Sequence, residues 1–176
     1  MSLLRFLGLG PASASSPNEP ESLAELIRQL EGLPPAEARF VAAFAYLLAR
    51  IAGADLRTHE VERHAITDRL ATLAGVDPER AGLLADAALR AAGDHGASDD
   101  HLVARTFRDI SGAEERLRLI RCLYAVAAAD EHVSTREDNE IFEVATAIGV
   151  PRQDVLALRS EHRERLGALR ALPGER

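Results

Sequence analysis

The sequence predicts an all-α protein, a compact bundle of about seven helices, and three observations lead to this fold class. Hydrophobic residues make up 47% of the 176 residues but aromatic residues only 4%. Ala and Leu supply most of the apolar content and both favour helices, whereas β-branched residues are sparse. Apolar residues recur every three or four positions, which is the period of a helix buried on one face. Proline and glycine separate these periodic stretches.

The helices are expected to follow one another along most of the chain. The pattern predicts helices over residues 22–31, 36–53, 59–74, 77–92, a short one after the loop 93–98, then 113–129, 135–148 and 152–170. Asp99 and Asp100 are expected to cap the short helix. The helix 113–129 is apolar nearly all round, so we expect it to be central and buried. The charged stretch 159–165 of the last helix is expected to be solvated.

The chain is expected to hold one folded domain with a tail at each end. A single domain of this length can bury a sizeable core. Residues 1–20 are predicted to be a flexible N-terminal tail and linker, because the part after residue 10 is rich in Pro, Ser and Ala. Residues 21–170 are the predicted helical domain, and residues 171–176 a C-terminal tail.

Two interpretations of the first ten residues stay open. Leu3, Leu4, Phe6 and Leu7 could touch the headgroup layer of a membrane, or the segment is an apolar, poorly ordered end. Arg5 interrupts the short apolar run, which argues against a secretory signal. No stretch approaches the ~18 apolar residues of a membrane span. The expected location is the cytoplasm, with peripheral membrane association through this tail as the alternative.

The charge balance bears on the class of partner. The formal charge is −7, from 21 basic and 28 acidic residues. A duplex nucleic-acid binder needs a basic footprint, so we expect no nucleic-acid partner. The acidic excess is compatible with binding cations or a basic protein, and equally with solubility alone. An unidentified protein partner is the expectation.

The two halves of the sequence repeat one element, Ala-Asp followed seven positions later by Glu. It occurs at Asp55/Glu62 and again at Asp130/Glu137. Aligning the halves on this element also matches Leu48 with Leu123, Ala52 with Ala127, Ile66 with Ile141 and, after a one-residue slip, Gly75-Val76 with Gly149-Val150. Each copy is a long apolar helix, an Asp, a short turn, and an amphipathic helix with Glu at its start. Two such helical hairpins predict a bundle with pseudo-twofold symmetry.

The four repeated acids, Asp55, Glu62, Asp130 and Glu137, are the candidate metal ligands. A short turn can bring the two carboxylates of one copy together, and hard oxygen ligands suit Ca²⁺ or Mg²⁺. An EF-hand is excluded, because neither turn has Asp-x-Asp-x-Asp-Gly. A structural interpretation stays open, since Ser134 and Glu137 form a capping box, Glu62 gains from the helix dipole, and Asp is common in turns. A polar contact with a partner is the third interpretation.

No arrangement for catalysis is found in the sequence, so we expect the protein not to be an enzyme. His59 and His64 lie five positions apart, whereas the zinc-protease motif needs four, so they point in different directions on a helix. There is no Gly-rich phosphate loop and no Gly-x-Ser-x-Gly elbow. Cys122 lies in an apolar helical run and is expected to be an unreactive core thiol. A polar cluster has ligand spacing for a transition metal, although a solvated loop explains it too: Asp94, His95, Asp99, Asp100 and His101.

Three stretches carry a family resemblance: Ala54-Asp55 with Glu62, Ala127-Ala128-Ala129-Asp130 with Glu137, and Ile148-Gly149-Val150. Together they are similar to the tellurite-resistance TerB family. The resemblance covers about residues 22–165 and is most specific over residues 115–130. The same domain type resembles the N-terminal module of DjlA-type membrane co-chaperones.

The resemblance implies a bundle of about seven helices, a non-enzymatic role in stress response near a membrane complex, and a cation site at the four repeated acids. The chain departs from the family where Gly usually follows each Asp, because Leu56 and Glu131 stand there. Gly adopts a left-handed turn at lower cost than these residues. The first hypothesis is a TerB-like interaction module that binds a protein partner and a divalent cation. The alternative is an ion-free, co-chaperone-like or structural adaptor.

Overall fold

The computed structural model describes residues 30, 33–52, 60–74, 77–94, 97–129 and 132–162. These residues form seven helices: α1 Pro35–Ala52, α2 Glu60–Ala74, α3 Pro78–Asp94, α4 Ala97–Ile110, α5 Ala113–Ala127, α6 Thr135–Ile148 and α7 Arg152–Ser160. The predicted all-α bundle of about seven helices is confirmed. The predicted tails lie outside the described residues, as does all of the predicted helix 22–31 except Leu30.

Local signals in the sequence explain where several helices begin and end. Helix α3 starts with a proline, and the preceding Asp77 accepts a hydrogen bond at its Oδ1 from the Arg80 amide at 3.0 Å, as an N-cap does. Helix α6 ends at Ile148, and the Gly149 that follows it has the left-handed φ of 77°. The Val150 amide then donates to the Ala145 carbonyl at 2.9 Å, closing a Schellman motif.

Helix α1 is the centre of the bundle. Every residue from Val41 to Ala49 is buried, and α1 packs against α2, α3, α4, α5 and α6. Helix α5, which the sequence indicated as central, packs against α1, α2, α6 and α7 but leaves Arg118 and Arg121 exposed. These arginines share one face of α5, and that face is open to solvent. Apolar as α1 is, none of the described helices has the length and hydropathy to cross a membrane.

Helix α4 begins earlier than the sequence indicated. Helix α3 continues to Asp94 and α4 starts at Ala97, so the stretch 93–98 is helical at both ends. The prediction that Asp99 and Asp100 cap α4 is therefore wrong. Both lie in its first turn, where the helix dipole stabilises acidic residues. Alanines on either side favour extending the two helices into the predicted loop.

The sequence repeat falls on two helix pairs, α1–α2 and α5–α6. The helices of each pair pack against one another, and α1 also packs against α5. Glu62 is the third residue of α2, and Glu137 is the third residue of α6. The repeated glutamates therefore occupy the same position in the first turn of their helices. The pseudo-twofold relation of the two halves stays a prediction.

Candidate functional site

The two repeated glutamates are buried, which is unusual for a carboxylate. Glu62 is 3% exposed in the first turn of α2, and Glu137 is 5% exposed in the first turn of α6. Their aspartate counterparts, Asp55 and Asp130, lie outside the described residues. The structure thus places the glutamates at matching positions. That each meets its aspartate around a cation stays a prediction.

Glu137 has a structural role at the start of α6. The Ser134 amide donates to Glu137 Oε2 at 2.7 Å, and the Glu137 amide donates to Ser134 Oγ at 3.1 Å. This reciprocal pair is the capping box that the sequence predicted. It satisfies two amides that would otherwise lack helical partners. The capping of α6 therefore explains in part why a carboxylate stands at this buried position.

The histidine candidates do not converge in the part of the chain that the structure describes. His64 is exposed, with Nδ1 2.7 Å from the carbonyl oxygen of Glu60 in the preceding turn. His59 and His95 lie outside the described residues, and His101 is exposed on α4. Among the described residues, no group of three or more His, Cys, Asp or Glu side chains is placed to hold a metal ion.

The residue after each repeated glutamate forms an ion pair with a later helix. Arg63 on α2 donates to Asp86 on α3 through Nε at 2.5 Å and Nη2 at 2.8 Å. Asp138 on α6 accepts from Arg159 on α7. The two pairs have opposite polarity at matching positions of the repeat. Each pair joins the glutamate-bearing helix to the helix that follows it in the chain.

A small polar network surrounds Asp138. Besides Arg159, Asp138 accepts a hydrogen bond at Oδ1 from the Tyr124 hydroxyl at 3.1 Å. Burial and the neighbouring Asp138 carboxylate raise the pKa of Tyr124 far above its ordinary value, so the phenol stays protonated and acts as a donor. His162 stacks on the Tyr124 ring, with centroids 5.8 Å apart. The prediction that Arg159 is solvated is wrong, because its guanidinium is drawn to the buried Asp138.

Arg50 brings together three helices at a second polar cluster. Its Nε donates to Asp100 of α4 at 2.6 Å, and its Nη2 donates to both Glu140 oxygens of α6 at 3.0 Å. The Tyr46 hydroxyl adds a hydrogen bond to Asp100 at 2.7 Å. Although burial alone would lower the pKa of Arg50, the hydrogen bonds and charges of both carboxylates raise it. One cation is therefore held by two anions at the junction of α1, α4 and α6.

A groove opens beside this cluster, and we call it the α1/α4/α6 groove. Its cavity has a volume of about 260 Å³ and is lined by Leu47, Arg50, Asp100, His101, Ala104, Glu140, Glu143, Val144 and Ala147. The sequence interpretation missed it, because its residues come from three separate helices. The available signal was Arg50, a charge within an otherwise buried stretch of α1, since a buried charge requires a partner.

Among the described residues, the hydroxyls of Ser111 and Ser160 make structural hydrogen bonds, and the thiol of Cys122 is buried. Ser111 Oγ donates to the Phe107 carbonyl at 2.5 Å, and Ser160 Oγ donates to the Ala157 carbonyl at 2.6 Å. Cys122 is 6% exposed, and burial raises the pKa of its thiol. Its predicted place in the core is confirmed. A buried thiol with a raised pKa is a poor nucleophile.

The comparison with protein families decides the identity of the domain. The model of the family described as tellurite resistance protein TerB matches residues 41–160. The chain belongs to the TerB family. This match confirms the resemblance noted in the sequence, and it spans both repeated glutamates and the whole groove of the TerB domain. No curated protein and no solved structure matches the chain.

Proposed function

We propose that this TerB domain is a non-enzymatic interaction module in a stress response, which binds a protein partner and holds Ca²⁺ or Mg²⁺ at its acidic turns. Each turn would bind its own cation, the first through Asp55 and Glu62 and the second through Asp130 and Glu137. The observation that supports it is the burial of both glutamates at matching helix starts. A buried carboxylate needs a hydrogen-bonded, charged or metal partner to offset its desolvation.

The interaction role is supported by how the reactive groups are used. The carboxylates with the closest contacts, Asp86, Asp100, Asp138 and Glu140, each bind an arginine between two helices. The hydroxyls of Ser111 and Ser160 bond helix carbonyls, and Cys122 lies in the core. Such contacts build a rigid scaffold, and a rigid scaffold presents a defined surface to a partner.

An ion-free adaptor is the second candidate, and the capping box favours it. One Glu137 oxygen already accepts from the Ser134 amide, so the cap accounts in part for a carboxylate at this buried position without any ion. A carboxylate has about four lone-pair sites, however, so accepting the Ser134 amide does not by itself prevent a carboxylate from binding a cation. The two candidates therefore differ in whether an ion changes the stability of the fold.

A thermal titration separates these candidates. Ca²⁺, Mg²⁺ and Zn²⁺ are added at millimolar concentration to the wild type, Asp55→Ala and Asp130→Ala while the melting temperature is followed. An ion that binds only the folded state at about 100 times its Kd stabilises the fold by about 2.7 kcal/mol. We expect Ca²⁺ or Mg²⁺ to raise the melting temperature of the wild type and less so that of each variant.

The matched control for this titration is Asp109→Ala. The Asp109 side chain is 59% exposed, and its ion pair with Arg108 is long at 3.4 Å. This variant should respond to the ions as the wild type does. A wild-type melt that does not move with any ion at millimolar concentration contradicts the cation proposal and leaves the ion-free adaptor.

We also propose peripheral membrane association through residues 1–10, which lie outside the described residues. The basis is the apolar character of Leu4 and Phe6 and their neighbours in the sequence. Co-sedimentation of the full chain with vesicles is compared with that of a Leu4→Glu/Phe6→Glu variant. We expect the wild type to pellet more. Equal pelleting of the two proteins removes the anchor from the proposal.

A further inference from the structure

The α1/α4/α6 groove continues into a second cavity along α6. The second cavity has a volume of about 340 Å³ and shares His101, Glu143 and Ala147 with the first. Phe142 and Thr146 complete its lining. Binding pockets typically have volumes of roughly 300–1,000 Å³. The two cavities together therefore offer room for one long side chain and the backbone on either side of it.

The charge of the groove is unbalanced. Asp100 and Glu140 share the single guanidinium of Arg50. Glu143 adds a third carboxylate to the lining; it is exposed and forms no ion pair within the described residues. Three carboxylates thus line the first cavity against one guanidinium. A second guanidinium, that of Arg152, lies outside this lining, 5.3 Å from the centroid of the Phe142 ring in the second cavity. A cationic group entering the groove would meet a net negative field between low-dielectric walls, which strengthens the attraction.

The wall of the groove suits the stem of a long basic side chain. Ala104, Val144 and Ala147 line the space beside the carboxylates, and they are small or branched apolar residues. Lys and Arg lay their methylene groups on apolar surface while the charged head reaches polar groups. Phe142, further along α6, lines the second cavity, although the Arg152 guanidinium lies over one face of its ring.

We propose that the α1/α4/α6 groove binds a segment of a partner protein that presents one lysine or arginine between apolar residues. The charged head lies by Glu143 and Glu140, the stem lies along Val144 and Ala147, and an apolar neighbour enters the second cavity beside Phe142. The inference rests on the proposed role of the domain as an interaction module, and it specifies which residue types of the partner the groove recognises. It does not depend on a cation at the acidic turns.

The test is a titration of the ¹⁵N-labelled full chain with two matched peptides in EDTA, followed by amide chemical shifts. One peptide is acetyl-Ala-Leu-Lys-Leu-Ala-amide, and the other has Glu in place of Lys. We expect the Lys peptide to move the amides of His101, Glu143 and Ala147 and to bind at least about 3-fold more tightly than the Glu peptide. Equal affinities, or shifts confined to another surface, overturn the proposal.

Two variants test charge and shape separately. Glu143→Gln should weaken the Lys peptide about 3-fold, as expected for one partly screened ion pair, and Ala147→Leu should block the groove. Asp68→Asn on α2 and Ala157→Leu on α7, both at exposed positions outside the groove lining, are the matched controls and should bind like the wild type. Binding unaffected by both groove variants overturns the proposal. If Ala147→Leu fails to fold, the exposed Glu143 still decides the question.

The chain itself contains a competing segment of the same chemistry, Arg5 between Leu4 and Phe6. The full-chain variant Arg5→Glu separates the two occupants. Groove amides that move in this variant without peptide show that the chain's own segment occupies the groove, and that overturns the partner proposal. Unchanged groove amides and an unchanged peptide affinity support it. Because EDTA removes divalent cations from the peptide titration, the two experiments are independent. Peptide binding tests the groove proposal, and the thermal ion titration tests the cation proposal, so either one can fail alone.

Discussion

Arg159 on α7 donates from Nε to both carboxylate oxygens of Asp138 on α6, at 2.9 Å each. A second contact joins Arg159 Nη2 to Asp138 Oδ2 at 2.8 Å. Asp138 is 8% exposed and also accepts from the Tyr124 hydroxyl of α5. One carboxylate therefore links α5, α6 and α7. Helix α7 buries Val155 and Leu158, and this polar contact adds to their packing in holding α7 against α5 and α6.

Removing the guanidinium should loosen α7. Arg159→Met leaves Asp138 buried without its ion pair, and we expect it to lower the free energy of unfolding by about 1–3 kcal/mol. Urea unfolding measures the change. Arg105→Met is the control, because Arg105 is exposed on α4 and forms no ion pair with the described residues, so its effect should stay within about 0.5 kcal/mol. Similar losses in both variants would show that the Asp138 contact contributes nothing.

The capping box of α6 gives a second prediction. Ser134→Ala removes the oxygen that accepts from the Glu137 amide and should cost about 1 kcal/mol. Thr135→Ala, at the exposed first residue of the same helix, is the control and should change little. Thermal or urea unfolding compares the two. A Ser134→Ala variant as stable as Thr135→Ala would mean that the box does not stabilise the helix.

Glu137→Gln separates capping from cation binding. Gln can accept the Ser134 amide as Glu does, so the variant should retain most of the stability of the cap while losing a negative charge that strengthens the binding of a divalent cation. We expect its melt to resemble that of the wild type without ions and to lose any stabilisation by Ca²⁺ or Mg²⁺. A variant that still responds to these ions like the wild type would show that the charge of Glu137 takes no part in binding them.

Helix boundaries could be predicted from the sequence because their causes are local. Proline at the start of α3, Ser134 before α6 and Gly149 after it act on the backbone within one turn. The start of α4 was misplaced, because Asp99 and Asp100 serve as well in a first turn as at a cap. The sequence also showed which faces are apolar, but the number of helices around α1 follows from tertiary packing.

The residues of the candidate site also differ in whether local sequence or tertiary packing reveals them. Glu62 and Glu137 could be found because a repeat marks them within one chain. Arg50, Asp100 and Glu140 could not, because they come from three helices far apart in sequence and only the folded bundle brings them together. Arg159 was misread for a related reason. A charged stretch indicates solvent exposure on average, and the buried Asp138 reverses that for one residue.

The Arg63–Asp86 ion pair makes stability depend on pH. Hydrogen bonds from Arg63 lower the pKa of the Asp86 carboxyl, more than its partial burial raises it. A lowered folded pKa means that the pair stabilises fully above the unfolded pKa, about 3.9, and loses its effect as pH falls below that value. Asp86→Asn should therefore cost about 0.5–1 kcal/mol at neutral pH, and progressively less below about pH 4.

Urea unfolding of the wild type and Asp86→Asn from neutral to acidic pH measures this dependence. Arg63→Met is the control, because it removes the guanidinium that lowers the pKa of Asp86. Its difference in unfolding free energy from the wild type should also shrink as the pH falls. A difference between the wild type and Asp86→Asn that is constant down to about pH 3 would contradict the assignment, since the pair would then not be linked to a proton.

Two glycines should respond to alanine in opposite directions. Gly149 has a φ of 77°, and a Cβ there would lie 3.7 Å from Arg108 Cδ, an ordinary contact. The backbone alone is therefore strained, and Gly149→Ala should destabilise by about 1–2 kcal/mol. Gly82 lies inside α3 with nothing within 4 Å of an added Cβ. Gly82→Ala should stabilise by about 0.5–1 kcal/mol, because alanine favours the helix. Urea unfolding measures the change in the free energy of unfolding for both variants. Equal signs would mean that backbone conformation does not set the cost at Gly149.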